Sequence, residues 1–142
     1  HLAVGAETMA LRIERESASA LAIASMLAAD PRVAAVHYPG LASHPQHEIA
    51  TTLFKAYGGL LSFELRDDID CFDYLNRLQL AIPASNLGDT RTLVIPVAHT
   101  IFYEMGAERR ASMGIAESLI RVSVGIEDTD DLLHDFSQAL AA

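Results

Sequence analysis

The sequence lacks several features that would direct a first interpretation elsewhere. It has one cysteine, Cys71, so no disulfide can form within the chain. It has no run of about 20 apolar residues and no leader with a charged and then an apolar part, which argues against a membrane span or a secretion signal. Basic residues are scarce, and the net charge of −9 argues against nucleic acid or a membrane surface as a partner. We therefore expect a cytoplasmic protein.

Length and composition are typical of one globular domain. The 142 residues are 51% apolar and 20% charged, which is enough apolar surface for a core and gives no compositional sign of disorder. The chain begins with His1 instead of Met, without a start signal of its own. We expect it to be a piece of a longer polypeptide.

Predicted helices and strands alternate along most of the chain. Apolar spacing predicts helices, and β-branched runs bounded by Gly, Pro, Asn or Asp predict strands. The predicted helices cover about 7–29, 43–56, 69–78, 107–113 and 128–140, and the extended segments cover 33–38, 60–65, 81–83, 92–95 and 119–125. This pattern predicts an α+β fold: a two-layer sandwich in which a small, mainly antiparallel sheet carries helices on one face.

Two histidines one helical turn apart, His44 and His47, lie beside Glu48 and could be read as metal ligands. The same stretch also has the pattern of a helix start, with Ser43 as the N-cap and Gln46 three residues later reaching back to the cap amide. The capping box explains these residues without a metal, so we predict a helix start and no metal site.

Cys71 and the Gly58–Gly59 pair receive structural interpretations. Cys71 opens a predicted helix, where the dipole could activate its thiol, but Phe72 and Leu75 surround it and favour a buried structural role. The two glycines lack the spacing of a phosphate-binding loop and fit a helix end that leads into a strand.

The predicted strand at 119–125 places an arginine among apolar residues. Ile120, Val122 and Val124 face one way, while Leu119, Arg121 and Ser123 face the other. A solvated arginine on a sheet face is common; alternatively, the two-pronged guanidinium could grip a carboxylate. The spacing alone leaves both interpretations open.

Four stretches of the chain resemble the Cys/Met-metabolism (trans-sulfuration) enzymes that depend on pyridoxal phosphate: cystathionine γ-synthase, the cystathionine lyases, methionine γ-lyase and O-acetylhomoserine sulfhydrylase. The match is to the C-terminal part of these enzymes. The stretches lie in the family's order and are VHYPGLASHPQH at 36–47, GGLLSFEL at 58–65, SNLGDTRTL at 85–93 and LIRVSVGIEDTDDLL at 119–133.

The resemblance implies the small C-terminal domain of a fold-type-I enzyme. Residues 1–8 would be the remnant of a linker from the large domain, and 9–142 the small domain, beginning with a long helix over 9–29. Pyridoxal 5'-phosphate and the Schiff-base lysine would belong to an N-terminal large domain, which would be this chain's partner in a homo-oligomeric, tetrameric parent. The one lysine here, Lys55, matches none of the family's cofactor roles, so we expect no catalytic residue and no bound cofactor in this chain.

By the same resemblance, Arg121 is the anchor for the α-carboxylate of the amino-acid substrate. The serine or asparagine that precedes Leu-Gly-Asp in the family falls on Asn86, with Ser85 as the alternative one residue earlier. Many relatives read like HPASTTH after the 92–95 strand, whereas this chain has PVAHTIF at 96–102, which leaves the substrate subtype open.

The resemblance implies an enzyme of sulfur amino acids that catalyses β- or γ-elimination or replacement. This chain would bind substrate and be inactive by itself. The alternative is a free-standing interaction module that has the same fold and no catalytic activity.

Overall fold

The computed structural model describes residues 2–141, so His1 and Ala142, the outer ends of the predicted domain ranges, lie outside it. The described residues form helices α1 (Leu2–Glu7), α2 (Met9–Ala29), α3 (His47–Leu53), α4 (Cys71–Arg77), α5 (Ala107–Ser112) and α6 (Thr129–Leu140), strands β1 (Val33–His37), β2 (Leu60–Leu65), β3 (Ile82–Pro83), β4 (Leu93–Pro96) and β5 (Leu119–Ser123), and 3₁₀ turns at Val97–His99 and Tyr103–Met105.

The five strands form one sheet in the order β1-β2-β5-β4-β3. Every neighbouring pair is antiparallel except β3 and β4, which run parallel. The last strand in the chain therefore lies at the centre of the sheet. In one row across it, Arg121 of β5 is paired with Ser62 of β2 and with Ile95 of β4.

Helices α2, α4 and α6 cover one face of this sheet. From β5, Ile120 and Val122 are fully buried there, and Phe63 of β2 meets Tyr74 of α4 edge-on, with ring centroids 5.7 Å apart. Phe136 of α6 is also fully buried. The period of two along each strand thus places one set of side chains in the core and leaves the alternate set, with Arg121, on the opposite face.

Helix α2 shows how the sequence sets a boundary. Its buried face, which includes Ile23 and Leu27, packs in the core, and the helix ends before Asp30. Asp30 precedes Pro31 and adopts an extended backbone, as residues before proline prefer. No helix within residues 2–141 combines the length and the apolar character that a membrane span needs.

The architecture confirms the expectation of an α+β protein with a mainly antiparallel sheet and helices on one face. Helix α2 has the bounds 9–29 that the resemblance implies and begins two residues after the start that the apolar pattern predicts. Asp128 caps α6 by accepting hydrogen bonds from the amides of Asp130 and Asp131. The division into a linker and a small domain stays a prediction.

The predicted helix start at Ser43 is wrong. Residues 41–47 form successive tight turns, in which the amides of Leu41, His44 and His47 each donate to the carbonyl three residues earlier. Gln46 cannot complete a capping box, because the helix begins only after this residue. The backbone amide of Gln46 donates to His44 Nδ1. Helix α3 then ends at Leu53 instead of Ala56, since Phe54 is extended.

Residues 2–7, which lie in the stretch interpreted as a linker, form helix α1, and Arg12 ties this helix to α2 by donating from Nη2 to the Gly5 carbonyl at 2.7 Å. One further boundary differs from the prediction. Helix α4 begins at Cys71 instead of residue 69, because the cap is Asp70, whose carboxylate accepts from the amides of Phe72 and Asp73.

Asp135 of α6 fixes the connection between α4 and β3. Its carboxylate is 4% exposed and accepts the backbone amides of Gln79 at 2.7 Å and of Leu80 and Ala81 at 3.0 Å. These amides have left α4 and have not yet joined the sheet, so the carboxylate supplies the acceptors that regular structure would provide.

Replacing Asp135 by alanine should lower the free energy of unfolding by about 3 kcal/mol, because it leaves part-buried amides without acceptors. Thermal unfolding of Asp135→Ala measures the loss, and Glu14→Ala, an exposed carboxylate on α2, is the control. Equal stability of the two variants would contradict this account.

Candidate functional site

The candidate site lies on the sheet face opposite helices α2, α4 and α6. Arg121 is there because it alternates with the buried Ile120 and Val122 on the central strand β5. Its side chain is half-buried. A central strand is a stiff mount, since β5 is hydrogen-bonded on both sides, to β2 and to β4.

The guanidinium of Arg121 meets the other two predicted site residues. Nη2 donates to the carbonyl oxygen of Ser85 at 2.8 Å and to that of Asn86 at 3.0 Å. The structure thus brings together all three residues that the sequence singles out. The contacts use backbone carbonyls, and the side chains of Ser85 and Asn86 are exposed.

One buried donor of Arg121 has no partner among the described residues. Nε is buried, and no group within residues 2–141 accepts its hydrogen. Leaving a buried donor unpaired costs about 1–3 kcal/mol, so such a group calls for an acceptor, such as a water molecule or a bound anion. A bound anion on this face could accept from the guanidinium, whose five N–H groups form a rigid fork.

Residues 84–92, here called the 84–92 loop, carry the two carbonyls that Arg121 binds. Gly88 has φ +74°, a left-handed conformation that favours glycine. The next residue, Asp89, accepts the backbone amide of Arg91 at 3.0 Å, and this hydrogen bond holds the pKa of the Asp89 carboxyl below its ordinary value. A charged Asp89 therefore closes the local turn.

The 84–92 loop packs tightly against the chain that follows β5. A Cβ added to Gly125 would lie 2.4 Å from the Thr90 carbonyl oxygen and 2.6 Å from the carbonyl carbon of Arg91. The amide of Ile126 donates to the same Thr90 oxygen at 2.9 Å. Only a residue without a side chain fits at Gly125, which explains the glycine there.

Other polar groups share the face with Arg121. Ser62 is its cross-strand partner on β2, and His37 of β1 is the next residue in the same row. His37 Nε2 lies 2.9 Å from Glu64 Oε1. On β4, the cross-strand partner of Arg121 is Ile95, an apolar side chain that is 4% exposed.

The segment in which this chain departs from the family pattern is anchored by Arg110, a residue that the sequence reasoning missed. Arg110 is 7% exposed, pairs with Glu117 at 2.7 Å, and donates to the carbonyls of Phe102 and Tyr103. Its only sequence signal is its place in a helix after a Gly turn, which does not distinguish it from the neighbouring exposed Arg109.

The remaining candidates form no hydrogen bond with Arg121 within the described part of the chain. Cys71 is 5% exposed, which confirms its buried position, and burial, followed by the charge of Asp70, raises the pKa of its thiol. His47 Nδ1 donates to the Pro39 carbonyl at 2.8 Å. Lys55 is exposed just after α3.

Gly125→Ala should displace the 84–92 loop, because the added methyl group meets backbone atoms that cannot rotate away. We expect a loss of about 1–3 kcal/mol in the free energy of unfolding, the usual cost of overpacking. Gly5→Ala is the control, since a Cβ there has nothing within 4 Å. Unchanged melting of Gly125→Ala would show that the loop is loosely held.

Comparisons with known proteins agree on one family. The family model described as "Cys/Met metabolism PLP-dependent enzyme" matches residues 1–141. The chain is 41% identical to the O-succinylhomoserine sulfhydrylase of Pseudomonas aeruginosa over 97% of this chain and 34% of that protein. It is 43% identical to the L-methionine gamma-lyase of Pseudomonas putida over 97% of this chain and 35% of that protein.

A solved structure agrees in fold. The cystathionine gamma synthase of Xanthomonas oryzae pv. oryzae, solved in complex with cystathionine, superposes with a TM-score of 0.88 at 35% identity, over 94% of this chain and 35% of that one. The chain spans about a third of the length of the relatives it matches. It belongs to the family of PLP-dependent enzymes of cysteine and methionine metabolism.

Proposed function

We propose that this chain is the substrate-binding, C-terminal domain of a pyridoxal-phosphate-dependent enzyme that acts on sulfur amino acids by β- or γ-elimination or replacement. The observation that carries the proposal is Arg121, a half-buried arginine on the sheet face opposite α2, α4 and α6, with a buried Nε–H that no described residue accepts. An amino-acid substrate offers a carboxylate, the anion that a guanidinium binds in a two-pronged manner.

In this proposal the chain binds the amino-acid substrate and orients it. Nη2 is held by the carbonyls of Ser85 and Asn86, so the guanidinium is kept at a fixed angle before a ligand arrives. Holding a reactant in one orientation lowers the entropic part of a reaction barrier. Arg121 would thereby fix the α-carboxylate and leave the rest of the substrate free to meet the reacting groups.

The residues of this chain do not fit a site for the cofactor. A lysine that holds pyridoxal phosphate must reach an enclosed pocket, and the one lysine, Lys55, is exposed after α3. We propose that the large domain of the full-length, homo-oligomeric enzyme holds the cofactor. The relatives are in part lyases and in part sulfhydrylases, which fits either elimination or replacement.

The placement at the C-terminal end of the parent is tested by the gene. We expect the open reading frame to continue upstream of this segment by about 250 residues, the size of a further large domain. A reading frame that instead begins at this segment and continues downstream would contradict the placement.

Arg121→Lys in the full-length enzyme keeps the charge but loses the two-pronged geometry. We expect kcat/KM for the amino-acid substrate to fall by the equivalent of about 1.5–3 kcal/mol, the scale of a hydrogen bond to a charged group. Arg121→Ala should cost more.

Arg109→Lys and Arg109→Ala, at an exposed arginine of α5, are the matched controls. Melting temperatures of all four variants separate binding from folding. Full activity of Arg121→Ala, or a loss that follows unfolding alone, would make Arg121 a structural residue and remove the site.

A further inference from the structure

Alternate residues of β5 and its continuation contact the 84–92 loop one after another. Arg121 binds the carbonyls of residues 85 and 86, and Gly125 packs on residues 90 and 91. Between them, Ser123 Oγ accepts the amide of Gly88 at 2.9 Å. Ser123 is 3% exposed, so this hydroxyl is a buried polar group directed at the loop.

Glu127 makes the last of these contacts, at the end of the loop. Its Oε1 accepts the amide of Thr92 at 2.5 Å, and its Oε2 accepts the Thr92 hydroxyl at 2.9 Å. The Thr92 hydroxyl oxygen in turn accepts the amide of Gly125 at 3.0 Å. Thr92 is fully buried, and its donors and hydroxyl acceptor are satisfied by this ring of hydrogen bonds.

The contacts follow the same order along both segments. Positions 121, 123, 125 and 127 meet positions 85–86, 88, 90–91 and 92, so the loop runs alongside the strand in the same direction. Within β5 the contacting positions 121 and 123 are two residues apart because side chains on one face of a strand repeat every two residues. The loop is thereby fastened to the same strand that carries Arg121.

We propose that Ser123 and Glu127 are positioning residues for substrate binding, and this inference rests on the proposed role of Arg121 as the carboxylate anchor. They act through the 84–92 loop: by fixing the amides of Gly88 and Thr92, they fix the carbonyls of Ser85 and Asn86, which set the angle of the guanidinium. Neither residue needs to touch the substrate.

Loss of the hydrogen bonds that Ser123 or Glu127 makes to the 84–92 loop should weaken substrate binding more than it slows turnover. In the full-length holoenzyme, Ser123→Ala and Glu127→Ala should each raise KM for the amino-acid substrate by roughly fivefold, which is what a hydrogen bond of about 1 kcal/mol is worth. The kcat should stay within about twofold, since uniform binding is lost and the reacting groups are unchanged. Glu127→Gln should restore KM toward the wild-type value, because its amide oxygen still accepts the Thr92 amide.

Hydrogen exchange of the Gly88 and Thr92 amides in the same proteins measures directly how firmly these hydrogen bonds hold the loop. Both variants should speed exchange at these amides, while Ser137→Ala and Glu108→Ala, two exposed controls, should change neither exchange nor KM. Because Ser123 is buried and its variant could fail to fold, the half-buried Glu127 and its Gln variant decide the outcome in that case.

The two proposals fail in different ways. If the Arg121 variants lose activity while faster exchange at Gly88 and Thr92 leaves KM unchanged, the positioning role is wrong and the carboxylate anchor stands. If the Arg121 variants keep full activity, the anchor is wrong, and the positioning role fails with it. An equal KM defect in Glu127→Gln and Glu127→Ala would also contradict the positioning role.

Discussion

Strand β5 has to satisfy two opposite environments at once, and the rest of the domain is arranged around that constraint. Ile120 and Val122 are fully buried under the helices, while Arg121 between them faces the opposite side of the sheet. A slip of one residue in the pairing with β2 or β4 would turn every side chain to the wrong face and put a guanidinium in the core. Burial of the apolar set therefore fixes the orientation of the arginine.

This arrangement separates core packing from the contacts of the candidate site within one strand. The residues that hold the sheet under α2 and α6 alternate with those that face the 84–92 loop, so either set can change without direct contact with the other. The family contains both lyases and sulfhydrylases at similar identity to this chain. A common core with a separate polar face is a physical basis for such variety, since function resides in the site and not in the fold.

The sequence predicts the parts of the domain that local rules govern. Period-two alternation identifies strand β5 and its two faces, one of which carries Arg121. Asp128 identifies the start of α6. Both signals act over only a few residues. The start of α3 escapes prediction, since Ser43 and Gln46 satisfy a local pattern while the backbone of 41–47 is held in turns.

The candidate site is predictable in part for the same reason. Arg121, Ser85 and Asn86 are recognised by resemblance, and the structure brings them together. The roles of Thr92, Glu127 and Arg110 depend on which segments lie side by side after folding. Nothing in the local sequence says that residue 92 meets residue 127, or that Arg110 is buried while Arg109 is exposed.

The central place of β5 also governs the order in which the sheet can assemble. Among the described strands it is the last to be synthesised, yet β2 and β4 have no direct hydrogen bonds with each other and are joined only through it. Until β5 is in place, β1–β2 and β3–β4 therefore have no strand that joins them into one sheet. Such non-local closure slows folding, and the open strand edges are exposed to wrong pairing until residues 119–123 arrive.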